Sequence, residues 1–286
     1  DLARDLSAVN RRLMRQGRNY HVKRITVVSS NTIAIGSADA NQRVNAGRVS
    51  FSTAPQSWIS QKAWQRGQKL FMQMQKRAMD AAANDFRGAY NDFKVYLTTD
   101  HATGTKLVPI DNGNNAVKLG DWSYSDFISP DGTTSSDEYY TCLLGDHVQS
   151  GGLFTSVGLV KSFGESRATV SEAPTPGTAA VDVNDPLMNL FDAGTQTDEV
   201  LAKFQTDGED PPYDIDEYPG DNSNMPKPLV VQDTTLGSDG KSTVGGFTAM
   251  CGLVEIEATS PIANDVYSVL VELAPGNYRG IKADVI

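Results

Sequence analysis

The stretches Val254-Glu255-Ile256-Glu257 and Ser268-Val269-Leu270-Val271-Glu272-Leu273 decide the fold class of this chain. In each, every second residue is apolar, and a period of two places those side chains on one face of an extended strand. The same cadence runs upstream, where Phe93, Val95 and Leu97 alternate with Lys94 and Tyr96. Further strands are expected at 105–110, 115–127, 138–145, 153–162, 166–171, 228–233, 243–258 and 264–286, with Pro130-Asp131-Gly132 and Gly151-Gly152 as turn punctuation. Ahead of them Ile25 and Val27 set against Thr26 and Val28, then 32–35 and 48–52, read as three short strands. Many short strands divided by turns specify a mainly β chain of sandwich or barrel type. No internal repeat stands out, which favours one elaborated sandwich over two.

One long helix interrupts the pattern, expected over 57–83 after Pro55, with caps at Ser57 and Ser60. Ile59, Ala63, Leu70, Met74 and Ala78 share a face, and Trp58, Trp64 and Phe71 widen it. Lys62, Arg66, Lys69, Lys76 and Arg77 supply much of the remainder, so the helix is amphipathic and basic. Its cations either face nucleic-acid phosphates or solvate an ordinary helix packed on a sheet. Residues 173–180 form a loop, and an acidic insertion follows over 182–228. Short helices are expected there from Asn184 or Asp185 ahead of Pro186 and from Thr197, and then an extended excursion over 207–228 with five prolines. Residues 1–19 read as a basic arm, with Leu6, Val9 and Leu13 at helical spacing and Gly17 ending any helix. The remaining residues, 20–286, form the β domain.

At 286 residues the chain is long enough to bury a sizeable core in one large β domain or two small ones. With 39% hydrophobic and 21% charged residues it has no run of about 20 apolar residues, so no membrane span is expected. The first residue is Asp1, not Met, and no leader pattern follows, which suggests that the natural start is missing. Cys142 and Cys251 are too few for a disulfide framework and are expected as buried thiols in a reducing compartment. The formal charge of −10 argues against nucleic-acid binding by the whole surface, but the charge is polarised. Residues 1–24 carry Arg4, Arg11, Arg12, Arg15, Arg18, Lys23 and Arg24 against Asp1 and Asp5, whereas Asp182 to Asp221 holds twelve acids and one lysine. Such a chain either turns its basic end to phosphate or merely solvates both runs.

The basic candidates for phosphate contact are Arg4, Arg11, Arg12, Arg15 and Arg18 with Lys62, Arg66 and Lys69 of the helix, acting by charge and not by base reading. Trp58, Trp64 and Trp122 could stack bases but suit a core better. Asp214, Asp216 and Glu217, near Asp210 and Asp221, are the best candidates for a structural Ca²⁺, although the rest of a calcium loop is lacking; no other cofactor is indicated. His21, His101 and His147 belong to no zinc motif. Gly240-Lys241-Ser242 imitates the end of a phosphate loop, but Thr235 stands where the first glycine belongs, so a turn is expected. Asp146 and His147 read as adjacent strand residues on opposite faces, hence as surface and not as an acid–base pair. No catalytic motif emerges, and the chain reads as a non-enzyme.

Four segments carry a family resemblance: Asp185-Pro-Leu-Met-Asn-Leu-Phe-Asp192, Pro211-Pro-Tyr-Asp-Ile-Asp-Glu-Tyr-Pro-Gly220, Gly246-Phe-Thr-Ala-Met-Cys-Gly-Leu-Val-Glu-Ile-Glu257 and Val271-Glu-Leu-Ala-Pro-Gly-Asn-Tyr-Arg-Gly-Ile-Lys282. Together with Ser57-Trp58 and its helix, this pattern resembles coat proteins encoded by small circular single-stranded DNA viruses, many known only from environmental sequence. The resemblance implies a viral jelly roll of eight antiparallel strands in two sheets, often preceded by a basic arm. Many copies would close into an icosahedral shell around the viral genome, expected as DNA held nonspecifically, in a virion assembled inside the host cell. The chain's length and acidic insertion leave room for a double jelly roll as an alternative to a single one. The proline-rich 207–228 stretch is expected to lie across an adjacent subunit. Two other functions compete: a carbohydrate- or cell-surface-binding β-sandwich, and a glycan-cleaving enzyme using two carboxylates, for which no spacing singles out a pair.

Overall fold

A computed structural model describes residues 1–29, 33–34, 43–44, 47–82, 88–130, 136–150, 153–168, 212, 218–219, 227–237 and 239–286. The chain is mainly β, with several antiparallel sheets and few helices. The first strand, β1 (Arg18–Ser29), is central to the largest sheet. Its outer half, Ile25 to Val28, is paired on both edges, by Lys241–Val244 (β7) and by Tyr267–Leu273 (β10). Asn19 and Tyr20 are likewise held between Phe247–Met250 (β8) and Ala283–Val285 (β11). The closing strands thus return to lie beside the opening one. A second sheet centres on β2 (Arg48–Thr53), flanked by β6 (Leu229–Thr235) and β9 (Glu255–Thr259), both antiparallel.

One hydrophobic cluster takes residues from both sheets: Val22, Ile25 and Val27 of β1 and Val49 and Phe51 of β2, joined by Val244, with Val231, Ile256, Val269 and Val271 packed around them. The period-two alternation read in 254–257 and 268–273 has this cause. Ile256 and Val269 turn inward, whereas Glu257 and Leu270 are exposed. Each inward aliphatic side chain removed from water contributes roughly 1.5–3 kcal/mol, ample to set the register of these strands.

The long helix α2 runs over Trp58–Ala81, following the short N-terminal helix α1 (Leu2–Asn10). Ser57 caps α2, its hydroxyl accepting the Ser60 N–H at 3.2 Å. Ile59, Ala63, Trp64 and Phe71 are buried, whereas Leu70, expected on the same face, is 46% exposed. Gly67 lies within the helix despite a propensity cost of about 1 kcal/mol relative to alanine, and is needed because a Cβ there would lie 2.8 Å from Leu159 Cδ2 and 3.2 Å from Phe93 Cζ. Leu159 opens α4 (Leu159–Ala168), which packs on α2. The second cluster therefore joins α2 and α4 to the extended segment Phe93, Val95 and Leu97 and to Leu143, Leu144, Met250 and Leu253. Tyr218, from the excursion expected to reach a neighbouring subunit, is buried on its own chain, with its hydroxyl at Ser57 and Ser60.

Several strand expectations fail for identifiable reasons. Segments 105–110 and 115–125 form no ladder beyond the single Ile110–Ala116 bridge, and the only helix nearby is the short α3 (Thr99–Thr103). Leu107 and Ile110 are more than 60% exposed, so the short apolar run 107–110 has no partner strand. Strand β3 (Asp126–Pro130) begins only at the end of that interval and pairs with β4 (Ser136–Cys142). The expected strand at 153–162 stops with β5 (Ser156–Gly158), and 159–168 is helix α4 because Leu159 and Val160 are buried against α2. Strands β4 and β5 run parallel, a departure from an all-antiparallel arrangement. Of Gly240-Lys241-Ser242, read as a turn, only Gly240 lies in the turn, at φ 70°, whereas Lys241 and Ser242 open β7. No helix among the described residues is long and apolar enough to cross a membrane.

Cys142 and Cys251 are buried free thiols, and burial pushes Cys142 up to about 12. His101 is also set by burial. Its Nδ1 accepts the Leu97 N–H at 3.1 Å, its ring meets Tyr96 and Tyr124 edge-on, and desolvation, with Lys106 and Arg4 adding repulsion, lowers its pKa to about 3. In the unfolded chain the same ring titrates near 6.5. Between these values the unfolded chain binds a proton that the folded chain refuses, so this contribution is whole above about pH 6.5 and is lost as the pH falls toward 3. Urea titrations of the parent chain and of His101→Asn, which keeps an acceptor but does not titrate, are expected to diverge by about 2 kcal/mol between pH 7.5 and pH 5. Parallel pH profiles would show that His101 is solvated in the folded state.

Candidate nucleic-acid interface

The opening segment is packed into the fold. Asp1 caps α1 by accepting the Ala3 and Arg4 N–H groups at 3.0 and 3.2 Å, and its other oxygen accepts from Gln16 Nε2 and Tyr124 Oη, each at 3.1 Å. The helix ends where Arg11 turns left-handed, at φ 51° and ψ 38°, an uncommon conformation for a residue with a Cβ. Beyond it Met14 and Gln16 are buried, and Gln16 bridges to the backbone of Val95 through both ends of its amide.

The far end of the chain closes on this segment. Tyr278 and Ile281 exchange backbone hydrogen bonds at 3.0 Å around a tight turn in which Arg279 is left-handed at φ 54°. Tyr278 Oη accepts the Arg15 N–H at 3.0 Å, and the Arg18 guanidinium lies 3.7 Å over the Tyr278 ring. Arg279 Nη1 donates to the Leu13 carbonyl. Between α1 and the turn opens a cavity of about 450 Å³, whose polar lining is Arg11, Arg12, Arg279 and Asn10. Leu6, Met14 and Ile281 give it an apolar base, and no carboxylate lines it.

The eight basic candidates are thereby sorted. Arg4 is 5% exposed, pairs with Asp5 and donates to the Leu107 carbonyl, so it does not face solvent. Arg15 is tied to Asp92 at 3.4 Å and to the Asn91 carbonyl at 2.8 Å. Arg18 is occupied by Tyr278 and by the Ala283 carbonyl at 3.0 Å. Arg11 and Arg12 are exposed and pair with no carboxylate among the described residues. On α2, Lys62 and Lys69 are exposed and Arg66 is half-buried, donating to the Ser162 carbonyl at 3.4 Å; among the described residues no hydrogen bond or shared cavity joins them to Arg11 or Arg12. Arg279 was absent from the candidates read in the sequence, because Gly276-Asn277-Tyr278-Arg279-Gly280 reads there only as the end of the closing strands.

The remaining candidates fall elsewhere. Asp214, Asp216 and Glu217 lie outside the described residues, among which no trio of His, Cys, Asp and Glu is placed to hold a metal. Asp146 and His147 follow the 143–145 bend after β4 and are not strand residues. Asp146 pairs with Lys161 at 2.6 Å, and His147 places Nε2 3.0 Å from Glu165 while Nδ1 accepts the Gly158 N–H at 3.2 Å. His21 is shared between Asp284 and Thr248 at 2.7 and 3.1 Å. Of the tryptophans, Trp64 is core, Trp58 is 51% exposed, and Trp122 carries Lys94 Nζ 4.5 Å above its ring. Burial lowers the Lys94 pKa, with Asp92 opposing and Arg15 reinforcing. No family model, curated protein or solved structure matches this chain.

Proposed function

We propose that this chain is a non-catalytic viral coat subunit: a jelly roll that self-assembles into an icosahedral shell and turns a basic surface toward the genome it encloses. The observation that carries the reading is the gathering of Arg11, Arg12 and Arg279 around one cavity from both ends of a chain of net charge −10. An acidic protein that concentrates arginine in one place contacts phosphate there and not over its whole surface. Two sheets sharing one cluster, with the closing strands beside the opening one, support the jelly roll. Resemblance of four segments to coat proteins of circular single-stranded DNA viruses supplies the virion and host-cell setting. Binding is of the nonspecific, backbone kind, and shell symmetry lets modest contacts between copies add up.

The carbohydrate-binding alternative requires an open aromatic face beside amide and acid groups. Tyr278, with Asn277 and Asp284 nearby, has that composition, but the Arg18 guanidinium covers its ring. Negative-stain electron microscopy of purified protein over a range of concentration and salt tests the coat reading. Uniform hollow shells are expected. A monodisperse monomer under every condition sinks it.

A further inference from the structure

The geometry points to the cavity between α1 and the 278–281 turn as a seat for one phosphate group of a single-stranded nucleic acid, gripped by Arg11, Arg12 and Arg279. This deepens the coat reading and rests on it only for the source of the phosphate. Three arginines line the cavity, no acidic residue does, and neither Arg11 nor Arg12 has an acidic partner among the described residues. Arg279 spends one nitrogen on the Leu13 carbonyl and, with five N–H donors per guanidinium, keeps others for a ligand. A planar fork of donors suits phosphate oxygens, and charge-assisted bonds of this kind are the strong ones. Arg11 and Arg279 both hold left-handed backbone, at φ 51° and 54°. Uncommon backbone held by surrounding structure is frequent at ligand sites, and here it occurs on two residues of one cavity.

Size and lining select the ligand further. At about 450 Å³ the cavity exceeds a bare anion and falls within the span of small-ligand sites. Its base of Leu6, Met14 and Ile281 is apolar, and Asn10 commits its Nδ2 to the Leu6 carbonyl at 2.9 Å, leaving its oxygen as an acceptor. A nucleotide with its phosphate among the arginines and its sugar or base toward the apolar side fits that division. The grip is insensitive to sequence, because it engages the backbone.

Fluorescence anisotropy with a fluorescein-labelled oligo(dT) 20-mer, measured on unassembled protein across a salt series, tests the site. The triple variant R11G/R12Q/R279Q is expected to bind about tenfold more weakly or worse. Its log affinity against log salt should flatten by about 0.7, the slope that one lost phosphate contact to a single strand accounts for. Glycine at 11 accepts the left-handed backbone without strain, so the loss is not a folding defect there. R11G/R12Q keeps the Arg279 bond to Leu13 and is expected to lose about threefold or more even if the triple variant does not fold. K62Q/K69Q/K76Q removes the same charge from α2 and is expected to change affinity less than about twofold. Equal losses in the two triples, or arginine variants that bind as the parent does, overturn the site. Competition by inorganic phosphate or by a thymidine mononucleotide at matched ionic strength separates the sources. Displacement of the 20-mer only at great excess supports a strand, whereas a mononucleotide bound as tightly as the 20-mer overturns it. Shell formation is scored separately by microscopy, so parent protein that binds the 20-mer yet forms no shell counts against the coat reading and leaves the site standing.

Discussion

Replacing Phe93 with alanine is expected to lower the free energy of unfolding by about 3–5 kcal/mol, because it removes the ring around which the helical half of the chain is packed. Phe93 is fully buried, and its ring centroid lies 5.3 Å from Phe71, 5.9 Å from Trp64 and 6.3 Å from Phe127. These four rings come from α2, from the extended 93–97 segment and from β3, so the hole left by alanine cannot be closed by one element moving alone. The effect should appear in urea denaturation as a lower midpoint at an unchanged slope. Phe93→Leu, which keeps most of the volume, should cost about 1–1.5 kcal/mol. Tyr90→Ala, three residues away on a side chain 76% exposed, should stay within about 0.5 kcal/mol of the parent. A loss under about 1 kcal/mol for Phe93→Ala would mean that the ring cluster does not anchor α2.

Phe93 also shows which parts of the fold can be read from sequence. Its alternation with Val95 and Leu97 correctly marks an extended segment with one face inward, and the same rule recovers β1, β9 and β10. It does not reveal that 93–97 pairs with β4 through one isolated bridge, Tyr96 to Cys142, because periodicity reports burial and not hydrogen-bonded partners. The strand reading fails outright at 105–110, where Leu107 and Ile110 are exposed and no sheet receives the short apolar run. Helix α2 announces itself through its period and its Ser57 cap, whereas α4 does not. Leu159 and Val160 take helical geometry because α2 offers them a groove at Gly67, a tertiary fact that no local window contains.

The candidate site divides the same way. Charge counting finds the arginines at 11 and 12, since a basic run against an acidic background is visible in composition alone. It also offers Arg4 and Arg15, which the folded chain ties to Asp5 and to Asp92. Only pairing geometry separates a spent cation from a free one. Arg279 escapes altogether, for its bond to Leu13 joins positions 266 residues apart. The one local hint is the Asn277-Tyr278-Arg279-Gly280 turn, whose left-handed arginine is legible only once the backbone is known.

Gly158→Ala should be among the most damaging single-methyl additions to the chain. A Cβ at 158 would lie 1.7 Å from the Gly145 carbonyl oxygen and 2.9 Å from its carbon, a clash of backbone with backbone that no rotamer change relieves. Gly158 ends β5 in parallel register with Cys142, donates its N–H to His147 Nδ1 at 3.2 Å, and leads directly into the buried Leu159 and Val160 of α4. Relief therefore requires either that β5 leave β4 or that the 145–147 segment open, and both loosen the seat of α4 on α2. Overpacking of this kind costs typically 1–3 kcal/mol and more where the obstacle cannot move, so a loss of about 3 kcal/mol or greater is expected. Hydrogen exchange should locate it: amides of 140–146 and 156–160 exchange faster, while those of β1 and β10, in the other cluster, keep their protection. Gly88→Ala, with no atom within 4 Å of the added methyl, should be close to neutral. If Gly158→Ala unfolds at the parent midpoint, the crossing of β5 over the 145–147 segment is looser than its geometry states, and the placement of α4 must then rest on Leu159 and Val160 alone.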